Sequence, residues 1–158
     1  MGETIELRRA VAEDAAAVRT LTRQAYTKWV PLIGREPKPM QADYVEALRK
    51  HRIDLAYLGG DLAALIETIA EVDHLLVENV AVAPAFQRRG LGRMLMAHAE
   101  QLALDLNYSE VRLYTNKQFA ENIELYRRLG YRIDREETLA IGVAVHMSKT
   151  IVPARLQL

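Results

Sequence analysis

The stretch Val77-Glu78-Asn79-Val80-Ala81-Val82-Ala83-Pro84-Ala85-Phe86-Gln87-Arg88-Arg89-Gly90-Leu91-Gly92-Arg93-Met94-Leu95-Met96 decides the fold. Its first part reads as a strand: Val77, Val80 and Val82 are β-branched and fit a pleated surface, and Pro84 ends the ladder because it has no N–H to donate. Gly90 and Gly92 let the backbone approach a ligand with no Cβ in the way. From Leu91 the pattern is helical, and the unpaired N–H groups and dipole of a helix start point positive charge back into the turn. Arg88, Arg89 and Arg93 add full charges there. Strand, basic glycine turn and helix together form an anion site, and a pyrophosphate is the anion that suits it.

Other phosphate turns fit less well. A Walker loop needs GxxxxGK[ST], and no such run occurs. The Rossmann pattern GxGxxG is met only in part, since Leu95 stands where its third glycine belongs. That pattern also follows the first strand of its unit, whereas several strand-like runs precede this turn. A sharp turn with solvated arginines is the remaining alternative, and a GxG alone would leave it the better reading. The run Gln87-Arg88-Arg89-Gly90-Leu91-Gly92, set between a valine-rich strand and an amphipathic helix, outweighs it.

Working outward, Thr4–Arg8 alternates apolar and polar residues and is predicted as the first strand. Residues 14–26 carry Val18, Leu21, Ala25 and Tyr26 at helical spacing, with Glu13 and Asp14 at the start, where the dipole favours acid. Lys28–Met40 holds three prolines and a glycine, so a continuous helix is excluded, yet Trp29, Leu32, Ile33 and Met40 make it apolar. Such a loop is either pinned to the core by Trp29 or shapes a substrate site, and both readings stand.

A short helix over 43–52 precedes strands at 53–58 and 62–69, joined at Gly59-Gly60-Asp61, and a third strand at 75–82 completes an antiparallel meander. A long helix over 91–106 has its buried face marked by Leu95, Met96, Ala99, Leu102, Ala103 and Leu106. The strand at 110–115 is then parallel to 75–82, because a helix crosses between them. A helix over 119–129 stops at Gly130. Tyr131–Arg135 and Leu139–Lys149 form a closing pair. The tail Thr150–Leu158 has little pattern and reads either as frayed or as a cover for a partner.

The 158 residues suit one domain with a sizeable core. Lys+Arg and Asp+Glu both number 21, so nothing in the overall charge draws the chain to nucleic acid or an anionic membrane. The absence of cysteine removes disulfides, thiolate catalysis and an acyl-cysteine intermediate. His51, His74, His98 and His146 are scattered with no metal spacing, so no metal is expected. The first residues lack a basic-then-apolar leader and Glu6 spoils a myristoylation match. With no apolar run long enough to span a bilayer, a cytoplasmic protein is expected.

A second stretch, Leu125-Tyr126-Arg127-Arg128-Leu129-Gly130-Tyr131, has the form LYxxxGF/Y, and Gln87–Gly92 has the form Q/R-x-x-G-x-G/A. In this pair of motifs, in this order and over nearly its whole length, the chain resembles the GNAT superfamily of N-acetyltransferases. The resemblance implies a mixed α/β fold: a mostly antiparallel sheet of seven strands with four helices, splayed between strands four and five, forming one acyl-CoA N-acyltransferase domain over residues 1–158. The splay takes the pantetheine arm of acetyl-CoA. Val80, Ala81 and Val82 then pair with that arm through main chain, as an added strand would, and Gln87, Arg88, Arg89, Gly90, Leu91, Gly92 and Arg93 hold the pyrophosphate. An N–H at Val80 or its neighbour would face the thioester oxygen as charge builds on it.

By position in the second motif, Tyr126 matches the family's general acid, its alternative being a half-buried aromatic on an amphipathic helix. Glu78 stands where many members place a base, and otherwise reads as a solvated or ion-paired carboxylate. His74 is a weaker base candidate. The segment walling the family's acceptor site corresponds to Tyr26, Trp29, Ile33 and Gly34. The family often carries an asparagine seven residues before its tyrosine, where this chain has Phe119. Asn116 and Asn122 are the substitutes, with a helix cap and an exposed polar residue as their plainer readings.

The activity implied is direct acetyl transfer in a ternary complex to a primary amine on a small molecule, a peptide N-terminus or a lysine, with a homodimer through the closing strands common among members. The alternative is an acyl-CoA-binding or regulatory module without turnover. A longer acyl group is a further alternative, with pocket depth near Asn79 and Tyr114 deciding.

Overall fold

Along Leu75–Val82 burial alternates residue by residue: Leu75, Val77, Asn79 and Ala81 are buried, whereas Leu76, Glu78, Val80 and Val82 are half-buried. A strand gives its two faces to alternate side chains, so this one segment serves a core with one face and leaves the other for chemistry. A computed structural model of the chain describes residues 4–153. The readings of the first three residues and of the tail beyond 153 lie outside the described residues.

The elements run β1 (Ile5–Arg9), α1 (Ala15–Tyr26), α2 (Val30–Ile33), α3 (Lys38–Gln41), α4 (Tyr44–Lys50), β2 (Arg52–Leu58), β3 (Asp61–Ala70), β4 (Leu75–Val82), α5 (Leu91–Asp105), β5 (Glu110–Asn116), α6 (Ala120–Arg128), β6 (Arg132–Leu139) and β7 (Gly142–Thr150). The strand order in the seven-stranded sheet is β1-β2-β3-β4-β5-β7-β6. The β4–β5 ladder is parallel, whereas β1–β2, β2–β3, β5–β7 and β6–β7 are antiparallel. The chain divides into two compact units, Met1–Thr68 with Asn79–Leu95, and Ile69–Glu78 with Met96–Leu158.

In the first unit, Val18, Leu21 and Ala25 of α1 pack with Tyr44 and Ala47 of α4, with Ile53, Leu55, Leu65 and Ala81 of the strands, and with Ala83 just past the end of β4. Asp43 caps α4 by accepting from the Val45 and Glu46 N–H groups at 3.0 and 3.2 Å. Gly59 and Gly60 turn β2 into β3 with φ of 59° and 88°, both left-handed, as a two-residue hairpin turn requires.

The segment expected as a loop over Lys28–Met40 is instead a run of short helical turns. Its prolines permit this because Pro31 and Pro39 are the second residues of α2 and α3, in the first turn, where a missing N–H breaks no intrahelical bond. Gly34, at φ 74°, ends α2. Arg23 of α1 holds the segment by donating to Glu36 and to the Met40 carbonyl, each at 2.8 Å.

In the second unit, Met96, Ala99 and Ala103 of α5 are buried, as are Val111, Leu113, Val145 and Met147 of β5 and β7. Leu106, expected on the buried face, is 48% exposed, because α5 stops at Asp105 and Asn107 takes a left-handed φ of 65°. β6 extends to Leu139 rather than stopping at Arg135, and Leu139 closes it instead of opening β7. That strand lies at the sheet's end and is exposed along nearly all its length, so it carries no apolar alternation from which to read its extent.

The parallel ladder pairs Leu75 with Val111, Leu76 with Arg112 and Val77 with Leu113. Among the described residues it has no further rung, although β4 continues to Val82 and β5 to Asn116. The parallel β4–β5 pairing is the one expected.

Candidate active site

The expected site residues fall into two groups, each described within its own unit. In the first, the end of β4 leads through a single 3-10 turn at Pro84–Phe86 into the basic turn. The Gln87 side chain holds this corner: its Nε2 donates to the Val82 carbonyl at 3.1 Å, and its Oε1 accepts from Lys28 Nζ at 3.4 Å. Arg88 takes a left-handed φ of 65°, which a non-glycine residue adopts only under constraint. Gly90 follows at φ 81°, and a Cβ placed on it would meet nothing within 4 Å, so space lies open over the backbone there. Met94 N–H donates to the Gly90 carbonyl at 3.0 Å and starts the helical pattern, which leaves the first N–H groups of α5 facing the turn. The Arg89 guanidinium lies 5.4 Å from the centre of the Phe86 ring. Arg88 and Arg93 are exposed, and no interaction of their guanidinium groups is recorded among the described residues. Open backbone donors ringed by cations are what a pyrophosphate requires.

The same unit holds a buried polar network. Tyr26 hydroxyl donates to Asn79 Oδ1 at 2.9 Å and lies 3.4 Å from the Val80 carbonyl. Asn79 Nδ2 in turn contacts Tyr44 hydroxyl at 3.3 Å and Thr22 Oγ1 at 3.4 Å, and Tyr44 donates to the Pro39 carbonyl at 2.6 Å. Asn79 is 3% exposed and Thr22 fully buried. Trp29 is buried too, which favours the pinning role for this residue, while Ile33 is half-buried and Gly34 exposed.

In the second unit, Glu78 accepts a hydrogen bond from Tyr114 hydroxyl at 2.8 Å. Tyr114 packs beside His146 with ring centres 5.8 Å apart, and His146 Nε2 lies 3.0 Å from Glu137 Oε1. Tyr126 sits on α6 with its ring edge-on to Tyr131 at 6.1 Å. Burial pushes the Tyr126 phenol up to about 12. Tyr131 is locked in place: its hydroxyl donates to Glu100 at 3.0 Å, and Lys149 donates to the other Glu100 oxygen at 2.9 Å. Burial, with the Glu100 charge beside it, drives the Tyr131 phenol far upward.

The asparagine question narrows. Asn116 Oδ1 accepts from the Gln118 N–H at 2.8 Å, so its side chain shapes the turn into α6. Asn122 is half-buried on α6, four residues before Tyr126. Phe119 is 4% exposed and starts the helix as a buried apolar plug. His74 is bonded to Asp73 at 2.7 Å, and this bond holds the Asp73 carboxyl below its usual range. Among the described residues, no three His, Cys, Asp or Glu side chains gather as a metal site.

Residues 15–131 match the family model described as the acetyltransferase (GNAT) family. The chain belongs to the GNAT family. The activity class of that family is acetyl transfer, and the mixed sheet with its parallel β4–β5 pair is the family's fold. A streptothricin acetyltransferase of Streptomyces lavendulae is 35% identical over 74 residues, which cover 46% of this chain and only 39% of that protein's length. The PaiA N-acetyltransferase from Thermoplasma acidophilum, solved in complex with coenzyme A, aligns with a TM-score of 0.79 at 16% identity, over 94% of this chain and 99% of the other. A GNAT family acetyltransferase from Elizabethkingia anophelis with acetyl-CoA bound gives 0.72 at 15% identity, over 93% and 98%. At these identities the two structures speak for the fold.

Of the GNAT site residues expected from sequence, Val80 to Val82 fall on β4, Gln87 to Gly90 on the turn and Leu91 to Arg93 in the first turn of α5, and Tyr26 meets the strand through Asn79. Sequence reasoning missed Asn79 as a hub, Lys28 as a contact of the turn, and Tyr114 as the partner of Glu78. The first had a signal: an asparagine at a buried position of an alternating strand must find hydrogen bonds.

Proposed function

We propose that this GNAT domain, taken as one domain over residues 1–158, moves an acetyl group from acetyl-CoA to a primary amine by direct attack in a ternary complex. The observation that carries this reading is the turn at Gly90, left-handed and with open space over its backbone, between exposed Arg88 and Arg93. The pantetheine arm would run along the main chain of Val80, Ala81 and Val82. The last rung of the β4–β5 ladder, Val77 with Leu113, precedes these residues. Acetyl-CoA supplies the activated thioester: the carbon–sulfur bond breaks as the carbon–nitrogen bond forms.

The chain's own groups handle protons. An amine is mostly protonated at neutral pH, and Glu78, held by Tyr114, would take its proton directly or through a water. Tyr126, at about 12, keeps its proton throughout the working range and would present it to the leaving sulfur. A thiol has a pKa of about 8.5, so complete transfer from so weak an acid is uphill. The role of Tyr126 in this reading is therefore largely to hold a hydrogen bond against developing negative charge. The backbone N–H near Val80 would do the same for the thioester oxygen.

The acceptor class is a small-molecule, peptide or lysine amine, and the named relative acts on an antibiotic. A homodimer through β6 is part of the reading, since β6 ends the sheet and carries Arg132, Asp134, Arg135 and Glu137 in an order that two antiparallel copies can match charge against charge. Thiol release from acetyl-CoA over a panel of amino acids, polyamines, aminoglycosides, streptothricin and short peptides tests the function. Release with one class, lost in Tyr126→Phe while coenzyme A still binds, is the expected result. Coenzyme A binding with no release for any acceptor would favour a binding module.

A further inference from the structure

We propose that Lys28 is a ligand of the cofactor's pyrophosphate, reaching it from the acceptor-side segment and so joining the two substrates' sites. The inference rests on the acetyl-CoA reading above and adds to it a residue outside the glycine turn. Lys28 Nζ lies 3.4 Å from Gln87 Oε1, and the same carboxamide is anchored through Nε2 to the Val82 carbonyl. The exposed ammonium therefore lies beside the first residue of the turn, at the point where β4 gives way to it. On its other side it sits 4.9 Å from the centre of the ring of Trp29, which is itself buried. A buried indole is a rigid support, and its face favours a cation.

An ammonium has three donors, so the Gln87 contact is compatible with a further bond to a phosphate oxygen. Lysine serves phosphate as a point charge, which suits a contact made from the side of a turn whose backbone N–H groups already fix the anion's orientation. A fourth cation beside Arg88, Arg89 and Arg93 also deepens the local potential in a chain with no net charge. The consequence reaches the acceptor: Lys28 opens the segment that continues through Trp29, Ile33 and Gly34. A loaded cofactor would hold that segment by its first residue.

The test compares the full-length wild-type chain with Lys28→Gln and Lys28→Arg. Coenzyme A affinity is read by calorimetry, and S-acetylpantetheine, which lacks the phosphates, by saturation-transfer NMR at millimolar ligand. Thermal unfolding without ligand serves as the folding control. Lys28→Gln is expected to weaken coenzyme A about five- to tenfold, Lys28→Arg to recover most of that, and both to bind S-acetylpantetheine within twofold of wild type. Coenzyme A binding unchanged in Lys28→Gln overturns the proposal. Equal losses for coenzyme A and S-acetylpantetheine also overturn it, by making Lys28 a prop for the fold. Wild-type protein that binds no coenzyme A overturns the cofactor reading itself, a result distinct from either.

Discussion

The hydroxyl of Tyr26 donates to the side-chain carbonyl of Asn79 at 2.9 Å, and through that amide α1 is tied to Tyr44 and the Pro39 carbonyl. Asn79 lies between Glu78 and Val80, so the bond fixes the strand beside two of the expected site residues. Asn79→Ala would take from the half-buried Tyr26 hydroxyl its 2.9 Å acceptor, remove a buried amide that bonds Tyr44 and Thr22, and open a small cavity. The expected loss is about 2–3 kcal/mol, the range for stranding a buried polar group. In a chain of this size that lowers the melting temperature by roughly 5–10 °C, which calorimetry would read. A fall under 2 °C would remove the network from the account of stability.

Tyr126 sets an alkaline limit. Its phenol is held near 12 by burial, above the ordinary value of 10.0. A folded-state pKa that is raised gives stability present in full below the unfolded value and lost as pH climbs through the folded one. The window is therefore about pH 10 to 12, and the effect is roughly 3 kcal/mol at most. Tyr126→Phe should unfold less steeply there, as followed by circular dichroism against pH. Identical alkaline profiles would mean that the ring is hydrated in solution.

Glu78→Gln keeps the shape and the acceptor for Tyr114 but removes the charge that would take a proton. Turnover with a reactive amine should fall about 10²- to 10⁴-fold, and the residual rate should climb with pH as the amine deprotonates itself. Coenzyme A affinity should stay within twofold. An unchanged rate at neutral pH would move the base elsewhere.

Gly130 stands at φ 98°, and an added Cβ would lie 3.3 Å from Lys149 Cε. Gly130→Ala therefore strains the backbone and crowds the lysine that, with Tyr131, holds Glu100. A loss of more than about 1 kcal/mol is expected, with Tyr131 absorbance shifting as its bond loosens. Urea unfolding of the two proteins would measure it.

Much of this was legible in the sequence where side-chain pattern follows backbone geometry. Leu75–Val82 alternates, residues 91–105 repeat at helical spacing, and Gly90 with Gly92 after a valine strand marks the turn. What the pattern could not give was set by distant partners. Asn79 and Tyr44 meet across 35 positions, and Glu78 and Tyr114 across 36. No local rule links such pairs. The helical turns over 27–41 escaped because prolines were read as breakers, when in the first turn of a helix they are permissive. The full extent of β6 escaped because an exposed strand at a sheet's end has no apolar face to report.

The early end of the β4–β5 ladder has a bearing on handling as well as catalysis. Beyond the last rung the Val80 and Val82 carbonyls accept from side chains, those of Tyr26 and Gln87, and a margin held by side chains is one that other chains can template upon. A ligand whose amides cap that margin would act as a solubility factor. Preparations kept with coenzyme A should then resist clouding on concentration and warming better than ligand-free ones, independently of any turnover.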